Sequence, residues 1–273
     1  MAEIRCEGVG YTYPGGVRAL DGVDLRISAG ERVAIVGQNG SGKSTLVRHF
    51  NGLLRPTDGR VTVGEYDTGA TRIARLAKMV GLAFQDPDRQ IFSGSVESEV
   101  AFGARNVGLA RNELESAVAS ALESVGLSGE RATNPYDLGY SRRKLLTIAS
   151  VMAMRTPVVV LDEPTTGQDA RGVQTIEGTV AALGDAGRTV IAISHDMRFV
   201  AETFARVVVM RAGRIVLDAS PEEAFAADHW PTLRSTNLEP PFAAALGAQL
   251  GLGSTPTDRA FVDAFVARSR GSA

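Results

Sequence analysis

The 273-residue chain has a single cysteine, Cys6, so it can close no disulfide within itself and carries no sign of an oxidising compartment. It has no excess of either charge: 29 Lys and Arg stand against 31 Asp and Glu, a formal net charge of −2. That removes the broad basic field on which non-specific duplex binding depends, so no nucleic acid is expected as a partner. No stretch approaches the ~18 uninterrupted apolar residues of a membrane span. The richest run, residues 158–161, is strand-sized and ends on Asp162. The opening Met1-Ala2-Glu3-Ile4-Arg5-Cys6-Glu7 lacks the apolar core of a cleaved signal. Glycine and proline, at 30 and 11 residues, fall well short of the roughly 25–30% that marks low complexity. What remains is a chain of one or two folded units with an ample core.

The patterning is mixed. Val23, Leu25 and Ile27 alternate with Asp24, Arg26 and Ser28, the period of a half-buried strand. Short apolar runs at 32–36, 80–84, 158–161 and 189–194 read as buried strands. Between them, helical spacing predicts helices over 43–50, 113–125 and 170–183, and residues 206–217 read as a hairpin turning at Ala212-Gly213. Strands alternating with helices predict a largely parallel α/β sheet, with an antiparallel patch at the N-terminus. From about residue 219 the composition turns Ala-rich, with Pro240-Pro241 and Gly251-Leu252-Gly253, and predicts a small helical appendage.

Gly37-Gln38-Asn39-Gly40-Ser41-Gly42-Lys43-Ser44-Thr45 fits G-x-x-x-x-G-K-[ST] between a predicted strand and a predicted helix. Its glycines let successive backbone N–H groups converge on phosphate oxygens, and the helix N-terminus adds partial positive charge. Lys43 can reach the terminal phosphates, and the Ser44 hydroxyl can ligate Mg²⁺. Asp162, at the end of an apolar strand, is placed to hold Mg²⁺ through water. Glu163 beside it is the candidate to take a proton from the attacking water. Together these residues predict a Mg-nucleotide hydrolase.

After Glu163 come Pro164-Thr165-Thr166-Gly167-Gln168-Asp169, and Ser194-His195-Asp196 follows the next strand. With the phosphate loop, these motifs resemble the ATP-binding subunit of ABC transporters over nearly the whole chain. The resemblance implies an α/β P-loop NTPase fold of the ABC ATPase type, an N-terminal antiparallel β patch, a helical subdomain inserted at about 86–155, and a small C-terminal helical appendage. It divides the chain into an ATP-binding domain at 1–218 and the appendage at 219–273. By the same resemblance Glu163 is the catalytic base and His195 contacts the γ-phosphate. Asp169 is the D-loop aspartate, with Gln168 where leucine is usual, and Gln85 is the glutamine that ligates Mg²⁺ and responds to the segment after it. Tyr13 matches the aromatic platform for adenine, with Tyr11 as the alternative.

Gln85-Asp86-Pro87-Asp88-Arg89-Gln90-Ile91-Phe92, followed by Val96-Glu97-Ser98-Glu99-Val100-Ala101-Phe102-Gly103, narrows the resemblance to energy-coupling-factor and cobalt-type ATPases. Pro240-Pro241-Phe242, Leu246 and Leu250-Gly251-Leu252 are similar to the C-terminal segment of that group, and a simple amphipathic helix explains them equally well. The implied protein is an ATP-hydrolysing subunit, with ATP and Mg²⁺ as cofactors, that powers uptake of vitamins or transition-metal ions. Its implied partners are a second ABC ATPase, a transmembrane coupling subunit and a substrate-binding membrane subunit, and its implied place is peripheral, at the cytoplasmic face of the cell membrane. The alternatives are the ATPase of an exporter and a soluble mechanical or regulatory ATPase. Against the second stand the absence of a long heptad insertion before Asp162 and the presence of only one phosphate loop.

One motif departs. Counting back from Asp162 without gaps places the family's L-S-G-G-Q signature on Leu138-Gly139-Tyr140-Ser141-Arg142. The serine whose hydroxyl meets the γ-phosphate held by an opposing subunit is replaced by Gly139, and Tyr140 and Ser141 stand where glycines are usual. Ser141 and Arg142 are the candidates to compensate. The mismatch predicts pairing with an unlike subunit.

Overall fold

The structure, a computed structural model, describes residues 2–271. Strands β1 (Ile4–Thr12), β2 (Arg18–Ile27) and β3 (Arg32–Val36) lead into α1 (Lys43–Phe50). Next come β4 (Asp58–Val63), β5 (Tyr66–Asp67), α2 (Ile73–Leu76) and β6 (Val80–Ala83). Three helices follow, α3 (Val96–Val107), α4 (Arg111–Ser124) and α5 (Tyr140–Ala153), and then β7 (Val158–Asp162). The chain continues through α6 (Ala170–Asp185), β8 (Thr189–Ile193), α7 (Met197–Thr203), β9 (Arg206–Arg211) and β10 (Arg214–Ala219). It closes with α8 (Pro221–Ala224), α9 (Trp230–Arg234), α10 (Phe242–Gln249) and α11 (Asp258–Gly271).

Two sheets form. One is antiparallel, in the order β2-β1-β4-β5; the other has the order β10-β9-β3-β8-β7-β6 and is parallel except for the β9–β10 hairpin. The larger sheet is buried on both faces, which is why its strands read as unbroken apolar runs. Ala34 and Val36 of β3, with Val159 and Leu161 of β7, face a core shared with α3–α6. Val33, Ile35, Val158 and Val160 face the opposite core, shared with α1 and the antiparallel sheet. Because β3, β6, β7 and β8 run parallel, their carboxyl ends lie along one edge, where α/β sheets hold ligands.

The alternation read in β2 holds, with Val23, Leu25 and Ile27 buried. Strands β4 and β5 escaped the sequence reading. In β4 only Val61 and Val63 are apolar and inward, two positions at one end of six residues. Helix α3 is fixed locally: Ser95 and Ser98 exchange side-chain and backbone hydrogen bonds at its start, and Gly108 ends it at φ 95°. No helix among the described residues is long and apolar enough to cross a membrane.

Candidate functional site

The loop between β3 and α1 is wound in a way that only glycine permits at two points. Gly37 has φ 145° and its missing side chain would collide with the Met210 carbonyl. Gly42 has φ 105°, and a methyl there would fall 2.6 Å from the Ala19 oxygen. Lys43 is buried within this curl, its Nζ donating to Gly37 O at 2.6 Å and Gln38 O at 2.9 Å. The ammonium is therefore aimed along the loop's concave side, and burial lowers its pKa against the pull of Glu163 and Asp162.

A cleft of about 460 Å³ opens above the loop, lined by Tyr13, Asn39, Gly40, Gly42, Lys43, Ser44, Thr45, Gln85, Asp162 and Glu163 among others. Most of the residues singled out in the sequence thus meet in one place. The Tyr13 hydroxyl lies 3.0 Å from Thr45 Oγ1, and its ring stands edge-on to Tyr11. Tyr11 packs instead against the core and His49, so of the two tyrosines only Tyr13 lines the cleft.

Ser44 Oγ donates to Asp162 Oδ1 at 3.4 Å, and Gln85 lies exposed at the rim. Hydroxyl, carboxylate and amide oxygens form a hard donor set that suits Mg²⁺. Among the described residues no three His, Cys, Asp or Glu side chains gather to hold a metal unaided. A cation here would need oxygens from a bound nucleotide as well.

Asp162 and Glu163 are both buried, and burial raises the pKa of each. Glu163 takes a left-handed backbone conformation, φ 51°, which is costly for a side chain of its kind and turns the carboxylate out of the strand direction. Its Oε2 lies 2.7 Å from Nδ1 of His195, whose side chain is 64% exposed. Among the described residues the carboxylate is thereby held at one oxygen, with no hydrogen bond at the other, the arrangement a base needs to meet a water molecule.

Gly139, Tyr140, Ser141, Arg142 and Asp169 do not line this cleft. Asp169 caps α6, accepting from the Gly172 amide at 2.8 Å. Arg142 pairs with Glu130 at 3.1 Å.

Two contacts were not anticipated. Lys144 of α5 is 1% exposed, and its Nζ donates to the Gln85 carbonyl and, at 3.3 Å, to the Asp162 carbonyl. It bridges the ends of β6 and β7 directly beneath the carboxylates. The readable signal was its register: 144, 148 and 151 share one helical face with apolar residues. The second contact joins the appendage to the phosphate loop, with Asn237 Nδ2 donating to Gln38 Oε1 at 2.9 Å from a left-handed turn, φ 55°. Nothing local in the sequence links residues so far apart.

A family model described as ABC transporter matches residues 20–166. An energy-coupling factor transporter ATP-binding protein of Methanocaldococcus jannaschii is 40% identical over 250 residues, covering 90% of this chain and 88% of that protein. An ABC transporter ATP-binding protein of Caldanaerobacter subterraneus is 40% identical over 91% of this chain, which spans only 43% of that longer relative. Among solved structures, cbiO1 from Clostridium perfringens, part of the ABC transporter complex cbiONQ, aligns with a TM-score of 0.74 and 37% identity, over 86% of this chain and 94% of that one.

Proposed function

The chain belongs to the ABC transporter family, and on that footing we propose that it is the ATP-hydrolysing subunit of an energy-coupling-factor importer of vitamins or transition-metal ions. The observation that carries the reading is the meeting of the phosphate loop, Asp162, Glu163 and Gln85 in one cleft, in a chain so similar to energy-coupling-factor and cbiO proteins. Tyr13 offers adenine a flat face, and the backbone of 37–45 with Lys43 grips the phosphates. Ser44, Gln85 and Asp162 are the residues to hold Mg²⁺, which when bound offsets charge on the phosphate oxygens. Glu163, steadied by His195, takes the proton of the attacking water. His195 is also the residue assigned to contact the terminal phosphate.

A second feature favours a membrane partner. An apolar cleft of about 730 Å³ runs beside Phe84, between α2, α3 and α5, with Leu53, Ile73, Phe92 and Phe102 exposed along it. It begins one residue from Gln85, so a transmembrane coupling subunit seated there is in mechanical contact with the nucleotide site.

The proposed dimer partner is an unlike ATPase. A second copy of this chain would bring Gly139, without a hydroxyl, to both nucleotides, and the side chains of Ser141 and Arg142 are already engaged within their own chain.

Glu163→Gln tests the central assignment. It is expected to keep ATP binding while cutting hydrolysis by more than ~10²-fold, the scale of a lost positioned base. Near-normal turnover in the assembled complex removes Glu163 from the role.

A further inference from the structure

The divergent signature and the loop after Glu163 are bolted together inside one chain. Ser141 Oγ donates to Gln168 Oε1 at 2.7 Å, and Gln168 Nε2 donates back to the Ser141 carbonyl at 3.1 Å. Both exchange partners are partly shielded from water, so neither bond is freely traded for a solvent one. The fit around them is close. Tyr140 covers Gly167 so tightly that a methyl on that residue would lie 2.7 Å from the ring, and φ 76° there already favours glycine. Gln168 in turn folds against Gly172, where any side chain would strike its amide. Three departures from the family pattern thus have partners within this chain: Ser141 and Gln168 hold each other, and Tyr140 packs on Gly167, the residue before Gln168.

The loop that Gln168 occupies is short and internally braced. Thr166 N donates to Glu163 O at 3.4 Å, and Gln168 N donates to Thr165 O at 3.1 Å. Glu163 opens this loop in a left-handed conformation, and Asp169 ends it as the cap of α6. A restraint on Gln168 is thus carried by few soft torsions to Glu163, five residues away.

We propose that Ser141 and Gln168 are a positioning pair: the start of α5 grips its own chain's loop and so fixes the orientation of Glu163, instead of presenting donors to nucleotide held by a second subunit. The proposal rests on the assignment of Glu163 above. It makes the altered signature a part of this chain's catalytic half, and it ties movement of α5 to movement of the base.

A double-mutant cycle with Ser141→Ala and Gln168→Leu tests it, with Ser141→Thr as the variant that keeps the hydroxyl. Amide hydrogen exchange in the full-length chain is expected to quicken about tenfold across 166–172 in either single variant, no further in the double, and not at all in Ser141→Thr. In the assembled complex, kcat for ATP falls about tenfold in both singles and in the double, with KM unchanged, and Ser141→Thr restores it. Additive effects in the exchange, or a rise in KM with kcat preserved, overturn the proposal, the latter by showing that Ser141 contacts nucleotide. Glu163→Gln in the same preparation separates the two ideas. If it leaves turnover intact, the assignment of the base has failed, while the coupling between Ser141 and Gln168 is still read in the exchange.

Discussion

Lys144 shows how much one buried charge can decide. An ammonium removed from water is tolerated only where fixed acceptors replace its hydration, and here two strand-end carbonyls and the nearby Asp162, Glu163 and Asp86 do so. Burial still pushes its pKa from 10.5 down to about 8. The unfolded chain keeps this proton up to its higher value, so between pH 8 and 10.5 unfolding takes up a proton and stability rises with pH. Below that window the charge costs the fold on the order of 3 kcal/mol. The free energy of unfolding of the natural chain should therefore climb relative to Lys144→Met across pH 8 to 10.5, as read by urea titration; a flat difference would mean that the amine is solvated. The sign reverses for Asp162 and Glu163. Burial raises both, so the nucleotide-free fold loses stability as pH rises from their ordinary values of 3.8 and 4.5 through the raised ones. The phosphate loop and the Asp162-Glu163 pair were legible in the sequence because their chemistry depends on fixed local spacing. Lys144 was legible only through its helical register with Ile148 and Val151, since Arg142-Arg143-Lys144 otherwise looks like a solvated run until the packing of α5 turns one of the three inward.

Elements were legible where a period was long enough to count. Strands β3, β7 and β8 are continuous apolar runs, and α6 repeats its apolar face over four turns. Strand β5, two residues long, exists only because β4 offers it a pairing edge, and no pattern of two residues can announce that. The segment after β6 is a further case. Asp86, Asp88 and Arg89 are exposed, yet Pro87 is buried and Gln90 stitches two elements together. Gln90 Oε1 accepts from Phe84 N at 2.9 Å, and its Nε2 donates to Thr147 O at 3.4 Å, joining the end of β6 to α5 beside the apolar cleft. Gln90→Ala should leave ATP affinity of the purified chain within about twofold while lowering transport by about tenfold, a loss of roughly 1.4 kcal/mol in coupling. Equal losses in binding and transport would place Gln90 in the nucleotide site itself.

At the scale of the whole molecule, the proposed phosphate-gripping and proton-accepting groups share one chain with a signature that we assign to another use. Two such chains facing each other would hold two nucleotides, each lacking the usual hydroxyl from across the interface. The expected behaviour is slow ATP turnover by the chain alone and fast turnover once a paralogue with an intact signature is added. Disabling Glu163 should then abolish most of the activity, and disabling the partner's corresponding glutamate should remove little. Rapid turnover by the chain alone, or equal losses from the two lesions, would contradict the asymmetric scheme.

The order β10-β9-β3-β8-β7-β6 also has a consequence in time. The strand that launches the phosphate loop is finished at Val36, but its neighbours β8 and β9 begin at Thr189 and Arg206. A ribosome adding 5–20 residues per second leaves β3 with both edges bare for roughly 8 to 30 s. During that interval Val33-Ala34-Ile35-Val36 is an unpaired apolar ribbon, able to dock against the wrong chain as readily as the right one. The strand that carries the phosphate loop is thus made well before either of its partners, and it stays open to mispairing until β8 has been made.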